Sequence, residues 1–205
     1  MAKQGYHHGN LREALVQGCL ALIEARGPQG FTLSEAAREA GVTPAAVYRH
    51  FEGREDLIAE AARQGYEIFG DLMEFAYNKG LPSALSAFSS TGRAYLAFAR
   101  RYPGHYVAMF ESGISIQRTP ELNAAATRAL GVLEKAAVEL SQHIPADKRP
   151  PPQMFSAHIW AMSHGVVELF ARNAPGTHSP FTPEDLLESG IGVYLRGLGL
   201  IAPDG

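Results

Sequence analysis

Residues 32–51 read Thr32-Leu33-Ser34-Glu35-Ala36-Ala37-Arg38-Glu39-Ala40-Gly41-Val42-Thr43-Pro44-Ala45-Ala46-Val47-Tyr48-Arg49-His50-Phe51, and their punctuation decides the fold. Thr32 followed three residues later by Glu35 is a capping box, in which each side chain satisfies a backbone amide of the other's turn. Ala36, Ala37 and Ala40 continue that helix, and Gly41 closes it in the left-handed conformation. Thr43 and Pro44 then supply an N-cap and a proline at the first helical position, which predicts a third short helix through Phe51. Two short helices joined by Gly41-Val42 make a helix-turn-helix. In its second helix Val47 and Phe51 lie one turn apart and face inward. Ala45 and Arg49 point roughly 160–200° away from Val47 at about 100° per residue.

Outward from this motif every periodic stretch is helical, and no alternating run of β-branched residues appears. A first helix opens at Asn10, with Glu13 answering its cap, and ends at Gly27-Pro28; Leu11, Leu15, Cys19 and Leu22 form its apolar stripe, with Ile23 beside them. Gly53 ends the third helix. A fourth runs from Arg54 to about Asn78, with Leu57, Ile58, Ala61, Ile68, Leu72 and Phe75 as the expected buried side, and Lys79-Gly80-Leu81-Pro82 breaks it. Further helices are expected over residues 83–101, 105–110, 119–142, 154–173 and, opened by Thr182-Pro183-Glu184-Asp185, from 182 to about 200. The expectation is an all-α chain of about nine helices. Residues 1–53 would form a DNA-binding domain and 54–205 a larger ligand-binding and dimerisation domain, with 54–79 as the connecting helix.

Composition narrows the function. The 205 residues are 46% hydrophobic and 19% charged, as in ordinary globular proteins. The longest apolar stretch, residues 94–99, falls far short of the ~18 needed to suggest a membrane span. Eighteen basic against 21 acidic residues give a net charge of −3, and within residues 1–53 the two signs cancel, so any nucleic-acid contact must come from local placement. Cys19 is the sole cysteine, which excludes an intramolecular disulfide and a cysteine-rich zinc site and makes it a small core residue. Residues 1–10 carry no apolar secretion signal, so a cytoplasmic location is expected. No cofactor motif and no metal site are found, and His105, His143 and His178 read as surface residues near helix ends.

The outward face of the third helix suits a major groove. Ala45 and Ala46 are slim enough to touch thymine methyls, and Arg49 can pair with guanine O6 and N7. Thr43, Tyr48, His50 and Arg54 offer donors for phosphates, and the helix starts near Ser34 and Arg54 add free amides. Helices five to eight are rich in bulky adaptable side chains. Phe98, Tyr106, Met109 and Phe110, with Phe155, His158, Trp160 and Met162, are the candidates for an apolar effector pocket, Tyr106 and His158 being its polar handles. The last helix carries Gly190, Gly192, Gly197 and Gly199, although an interior glycine costs about 1 kcal/mol against alanine. Close helix approach would offset that cost. A homodimer bundle is therefore expected from Val166, Leu169 and Phe170 of helix eight and Ile191, Tyr194, Leu195 and Leu198 of helix nine.

Three stretches carry a resemblance: residues 6–12 (Tyr6-His7-His8-Gly9-Asn10-Leu11-Arg12), residues 30–43, and Val47-Tyr48-Arg49-His50-Phe51. In order and spacing this end of the chain resembles the DNA-binding end of tetracycline-repressor-like (TetR family) regulators. Trp160-Ala161-Met162-Ser163-His164-Gly165 resembles the Trp-His-Gly signature of one C-terminal subclass, and residues 100–106 are in the same style. The resemblance implies an all-helical homodimer that represses transcription from a palindromic double-stranded DNA operator and releases it when a small molecule binds. One departure is Arg54, where many relatives carry a phosphate-binding lysine.

Two other function classes stay in view. A helical adaptor would bind protein partners only and would not shift DNA. An enzyme would need a constellation, and the best available is His164 with Glu168 and Ser163, for which no orienting third group is found.

Overall fold

Capping chemistry sets where the helices begin. The computed structural model of the chain describes residues 8–171 and 179–202. Tyr6, His7 and His178 thus lie outside the described residues. Among the described residues the chain is all-helical, with nine α-helices: α1 (His8–Arg26), α2 (Leu33–Glu39), α3 (Pro44–Val47), α4 (Arg54–Gly80), α5 (Ala84–Arg101), α6 (Pro103–Phe110), α7 (Pro120–Ser141), α8 (Pro152–Val166) and α9 (Pro183–Gly197). The capping box expected at Thr32 forms, and a second box stands where Thr182 was expected to open the last helix. Thr32 and Glu35 exchange bonds at the start of α2, and Thr182 and Asp185 do so at the start of α9.

Several boundaries differ from expectation. α1 starts at His8, so Asn10 lies inside its first turn and is not the cap. α3 stops after four residues instead of running through Phe51, and α6 opens at Pro103, which fits the first helical turn because proline lacks the amide that would be orphaned there. α8 ends at Val166 and passes into a π-helical turn, Val167–Ala171, which periodicity cannot reveal.

Two compact units result. The first takes residues 1–68 and 102–126, the second 69–101 and 127–205. In the first, α1 packs on α2 and α6, and its Leu15, Cys19, Leu22 and Ile23 are buried as expected. Burial pushes the Cys19 thiol up to about 12, which leaves it an inert core group. Gly104 lets α6 approach α1 closely: its amide donates to Glu24 Oε1 at 3.0 Å, and a Cβ there would lie 3.1 Å from the Leu20 carbonyl oxygen. In the second unit a core forms around Tyr77, Phe88, Leu140, Phe155 and Leu195.

The expected buried side of α4 is right only at its start. Leu57, Ile58 and Ala61 are buried, but farther along the helix buries Tyr66 in the first unit and Phe69, Met73 and Tyr77 in the second. Ile68 and Leu72 are only half-buried, and Phe75 is 64% exposed with the Lys79 ammonium 5.5 Å from its ring centroid. Both stripes have helical spacing, so periodicity alone cannot choose. Packing does: Phe69 meets Tyr95 and Phe98 with ring centroids 5.4 and 4.9 Å apart.

His105 is a further correction. It is 8% exposed inside the first unit, not a surface residue, with Tyr102 edge-on to its ring and the backbone of Gly65 close to its Cβ. Burial holds its imidazole below the ordinary value of 6.5, against a weaker opposing pull from Glu13. Because the folded state disfavours the proton, stability is full above the unfolded value of about 6.5 and declines as pH falls below it. The urea midpoint is expected to drop as pH falls from about 7 to about 5, and His105→Gln is expected to flatten that dependence.

Candidate functional site

The helix-turn-helix is assembled from short-range bonds and small residues. Thr32 Oγ1 accepts from the Glu35 amide at 3.2 Å, the Thr32 amide donates to Glu35 Oε2 at 2.8 Å, and Arg26 Nη1 donates to Glu35 Oε1 at 3.0 Å. The Thr32 backbone amide, then its hydroxyl, then Arg26 hold the Glu35 carboxyl below the usual carboxylate range. Gly18 lets α2 lie against α1, since a Cβ there would sit 3.1 Å from the Ala36 carbonyl oxygen. At the turn Gly41 takes φ +70°, and the Gly41 and Val42 amides donate to the carbonyls of Arg38 and Ala37.

α3 begins at Thr43 in extended geometry with Pro44 at its first position, though the Thr43 hydroxyl makes no cap bond. After Val47 the chain tightens: the Arg49 and His50 amides donate to the carbonyls of Ala46 and Val47, and the Phe51 amide returns to Val47. The first two, which span three residues where an α-helix spans four, explain why the helical run is shorter than its sequence suggests. The facing is nonetheless as read, with Val47 at 0% and Phe51 at 4% exposure. Thr43, Ala45, Tyr48 and Arg49 are exposed, and Ala46, His50 and Ser34 are half-buried. Arg49 has no hydrogen-bond or ion-pair partner among the described residues.

Arg54 is half-buried and bonded within the first unit. Its Nη1 donates to the carbonyls of Gln29 and Phe31, and its Nη2 to the Gln29 side chain. No local pattern marks Arg12, whose guanidinium lies 4.8 Å over the Phe51 ring and donates to Glu60 at 3.1 Å, with Arg63 binding the same carboxylate. Despite burial, the paired Arg63 and Arg12 hold the Glu60 carboxyl below its ordinary value.

The eight pocket candidates fall into both units. Tyr106 and Met109 are buried in the first, and Phe110 packs on Tyr106 and Tyr66. In the second, Phe98 and Phe155 are fully buried and Met162 is half-buried. Trp160 stacks on His164 at 5.4 Å and meets Tyr95 edge-on. The Tyr95 hydroxyl lies 2.8 Å from His164 Nδ1, while His164 Nε2 stands 4.0 Å from Glu168. His158 is exposed and bonds through Nδ1 to the Tyr194 hydroxyl at 2.8 Å, joining an expected interface residue instead of the pocket. A separate cavity of 320 Å³ lies between α5 and α9, with Phe88, Gly92, Leu96, Leu187 and Ile191 among its walls, and none of the eight lines it.

The expected dimer residues are also sorted by the packing. Leu195 is 2% exposed and belongs to the second unit's own core, so it is not available to a partner. Ile191, Tyr194 and Leu198 are partly buried against that core, Val166 and Phe170 are half-buried, and Leu169 is 48% exposed.

Residues 15–61 match the bacterial regulatory proteins of the tetR family, and residues 88–194, more than half of the chain, match the tetracyclin repressor-like C-terminal domain. The chain belongs to the TetR family. An uncharacterised helix-turn-helix transcriptional regulator of Mycobacterium tuberculosis is 25% identical over 162 residues, 77% of this chain and 69% of that protein. A solved protein of unknown function from Rhodococcus sp. RHA1 superposes with a TM-score of 0.76 at 24% identity, covering 95% of this chain and 98% of the other. The regulator AibR, solved with isovaleryl coenzyme A and operator DNA, superposes at 0.69 with 18% identity, covering 89% and 96%. This TetR-family chain is a transcriptional regulator with a C-terminal ligand-binding domain. Among its described residues no helix is long and apolar enough to cross a membrane.

The Arg12 contacts join α1, the end of the α3 turn and α4 within one unit. Arg12→Ala is expected to lower stability by about 1 kcal/mol, the sum of a partly exposed cation–π contact and one ion pair. Urea titration of the two proteins checks it.

Proposed function

We propose that this TetR-family regulator binds a near-palindromic operator through the exposed face of the α3 turn and is released from it by a small apolar effector. The observation that carries the reading is the composition of that face. Arg49 points outward, without a hydrogen-bond or ion-pair partner among the described residues, between slim Ala45 and exposed Tyr48, over a turn whose inner side is closed by Val47 and Phe51. Arg49 reads guanine, Ala45 and Ala46 lie against thymine methyls, and Thr43, Tyr48, His50 and the α2 start at Ser34 hold phosphates. The 1–53 and 54–205 division is retained as a division of roles, DNA against effector and partner.

Effector binding is assigned to the bulky side chains of α5 and α8 within the second unit: Phe98, Phe155, Trp160 and Met162. The polar handle passes from His158 to the Tyr95–His164 pair, because His158 bonds Tyr194 on an exposed face. The stretch Trp160–Gly165 is read as the Trp-His-Gly signature of its subclass, supported by the stacking of Trp160 on His164. No catalytic role is assigned to His164 and Glu168, since Ser163 and His164 are adjacent on one helix and do not face each other, and no cofactor is invoked. A cytoplasmic location accords with DNA as the partner.

The dimer is proposed on an exposed to half-buried face of α8, the π-helical turn and α9 that carries several small residues. Met154, Ala157, His158, Ala161, Gly165 and Leu169 form one stripe, and Leu186, Gly190, Val193 and Gly197 another. A Cβ at Gly165, Gly190 or Gly197 would meet nothing within 4 Å, so close approach inside the chain does not account for these glycines. An approaching partner helix does. Val193→Arg, at a side chain 61% exposed in the protomer, is expected to give a monomer in sedimentation at micromolar concentration with unchanged helical content. A dimer that survives it places the interface elsewhere.

Selection of duplexes from a random-sequence library tests the reading as a whole. Arg49→Ala is expected to cost about 1–3 kcal/mol on the selected duplex and to relax the preference at one base pair per half-site. A chain that retards no duplex in a mobility-shift assay but captures protein partners favours the adaptor.

A further inference from the structure

Arg54 carries the charge expected of a phosphate ligand, yet its donors point into the first unit. Nη1 donates to the carbonyl oxygens of Gln29 and Phe31, each at 3.3 Å, Nη2 donates to the side-chain oxygen of Gln29, and Nε is buried. The acceptors span the loop that leads from α1 to Thr32, the residue that caps α2. The helix start from which Arg54 projects is held on its other flank. Arg118 donates through Nη1 to Glu55 at 2.9 Å and through Nη2 to Asp56 at 2.7 Å.

We propose that Arg54 is a positioning residue for operator recognition and not a phosphate ligand: its guanidinium holds the 29–31 loop and thereby the orientation at which α2 and the α3 turn are presented. The inference rests on the operator reading above. It also gives a physical meaning to arginine at this position. A planar fork of donors serves two carbonyls and an amide oxygen together, which one ammonium group on a flexible stem does not. Phosphate contact and loop positioning make opposite demands on the side chain. A phosphate ligand needs only its charge, whereas a clamp needs its shape.

The test uses the full chain, a duplex selected by the wild-type protein and a random-sequence duplex, each titrated over a range of salt. The variants are Arg54→Ala, Arg54→Lys and Gln29→Ala. Both Arg54 variants are expected to lose about tenfold or more on the selected duplex and less than about twofold on the random one. The slope of log affinity against log salt should stay at the wild-type value, because no phosphate contact has been removed. Gln29→Ala should shift the selected-to-random ratio in the same direction and add little on top of Arg54→Ala. A slope that falls by about one in Arg54→Ala, with affinity and slope restored by lysine, overturns the proposal in favour of a phosphate contact. An unchanged ratio in Arg54→Ala overturns it in favour of a purely scaffolding role; if that variant does not fold, an unchanged ratio in Arg54→Lys and Gln29→Ala does the same. Failure of the wild-type chain to enrich any duplex overturns the operator reading and this inference with it, and is read before any variant is made.

Discussion

A helix of four residues cannot hold itself together, and the recognition end of this molecule is built on one. Isolated helices shorter than about 12–15 residues are marginal in water, so α3 persists only through what its inner side buries. Val47 and Phe51 supply that side, one turn apart, and the turn bonds from His50 and Phe51 back to Val47 complete it. Everything that borders the turn serves the same end. Gly18 brings α1 and α2 together, the Thr32–Glu35 box fixes where α2 begins, and Arg12 covers the Phe51 ring. The outward side chains are thereby left free of structural duty.

Charge follows the same division of labour. Residues 1–53 are neutral, and many of the first unit's arginines are matched to local acceptors: Arg26 to Glu35, Arg12 and Arg63 to Glu60, Arg118 to Glu55 and Asp56, and Arg54 to the 29–31 loop. Net charge is therefore a poor guide to nucleic-acid binding here. What matters is which cations lack an acceptor, and among the described residues Arg49 is one.

In the second unit aromatic packing has the organising role. Phe69, Tyr95 and Phe98 meet ring to ring, Tyr95 shares a hydrogen bond with His164, and Trp160 lies over that imidazole. The π-helical turn begins at Val167, three residues beyond His164, so the polar cluster sits where the helix changes its winding. α8 and α9 pack on each other with Leu195 in the core, which turns the small residues Ala157, Ala161, Gly190 and Gly197 outward.

The amino-acid order by itself determined the elements whose signals are local. Capping boxes at Thr32 and Thr182, glycine at the left-handed position 41, and prolines at 44, 120 and 183 act within a few residues, so the all-helical class, most helix starts and the inward facing of Val47 and Phe51 were legible without any contact map. Where two readings of equal periodicity competed, only the tertiary structure decided. On α4 the stripe through Phe69 and Met73 won over that through Leu72 and Phe75 because rings from α5 meet the former. The burial of His105 and Leu195 and the internal bonds of Arg54 were not legible for the same reason: they are set by residues many positions away, such as Gln29 for Arg54 and Tyr77 for Leu195, and a chain read in one dimension carries no measure of that distance.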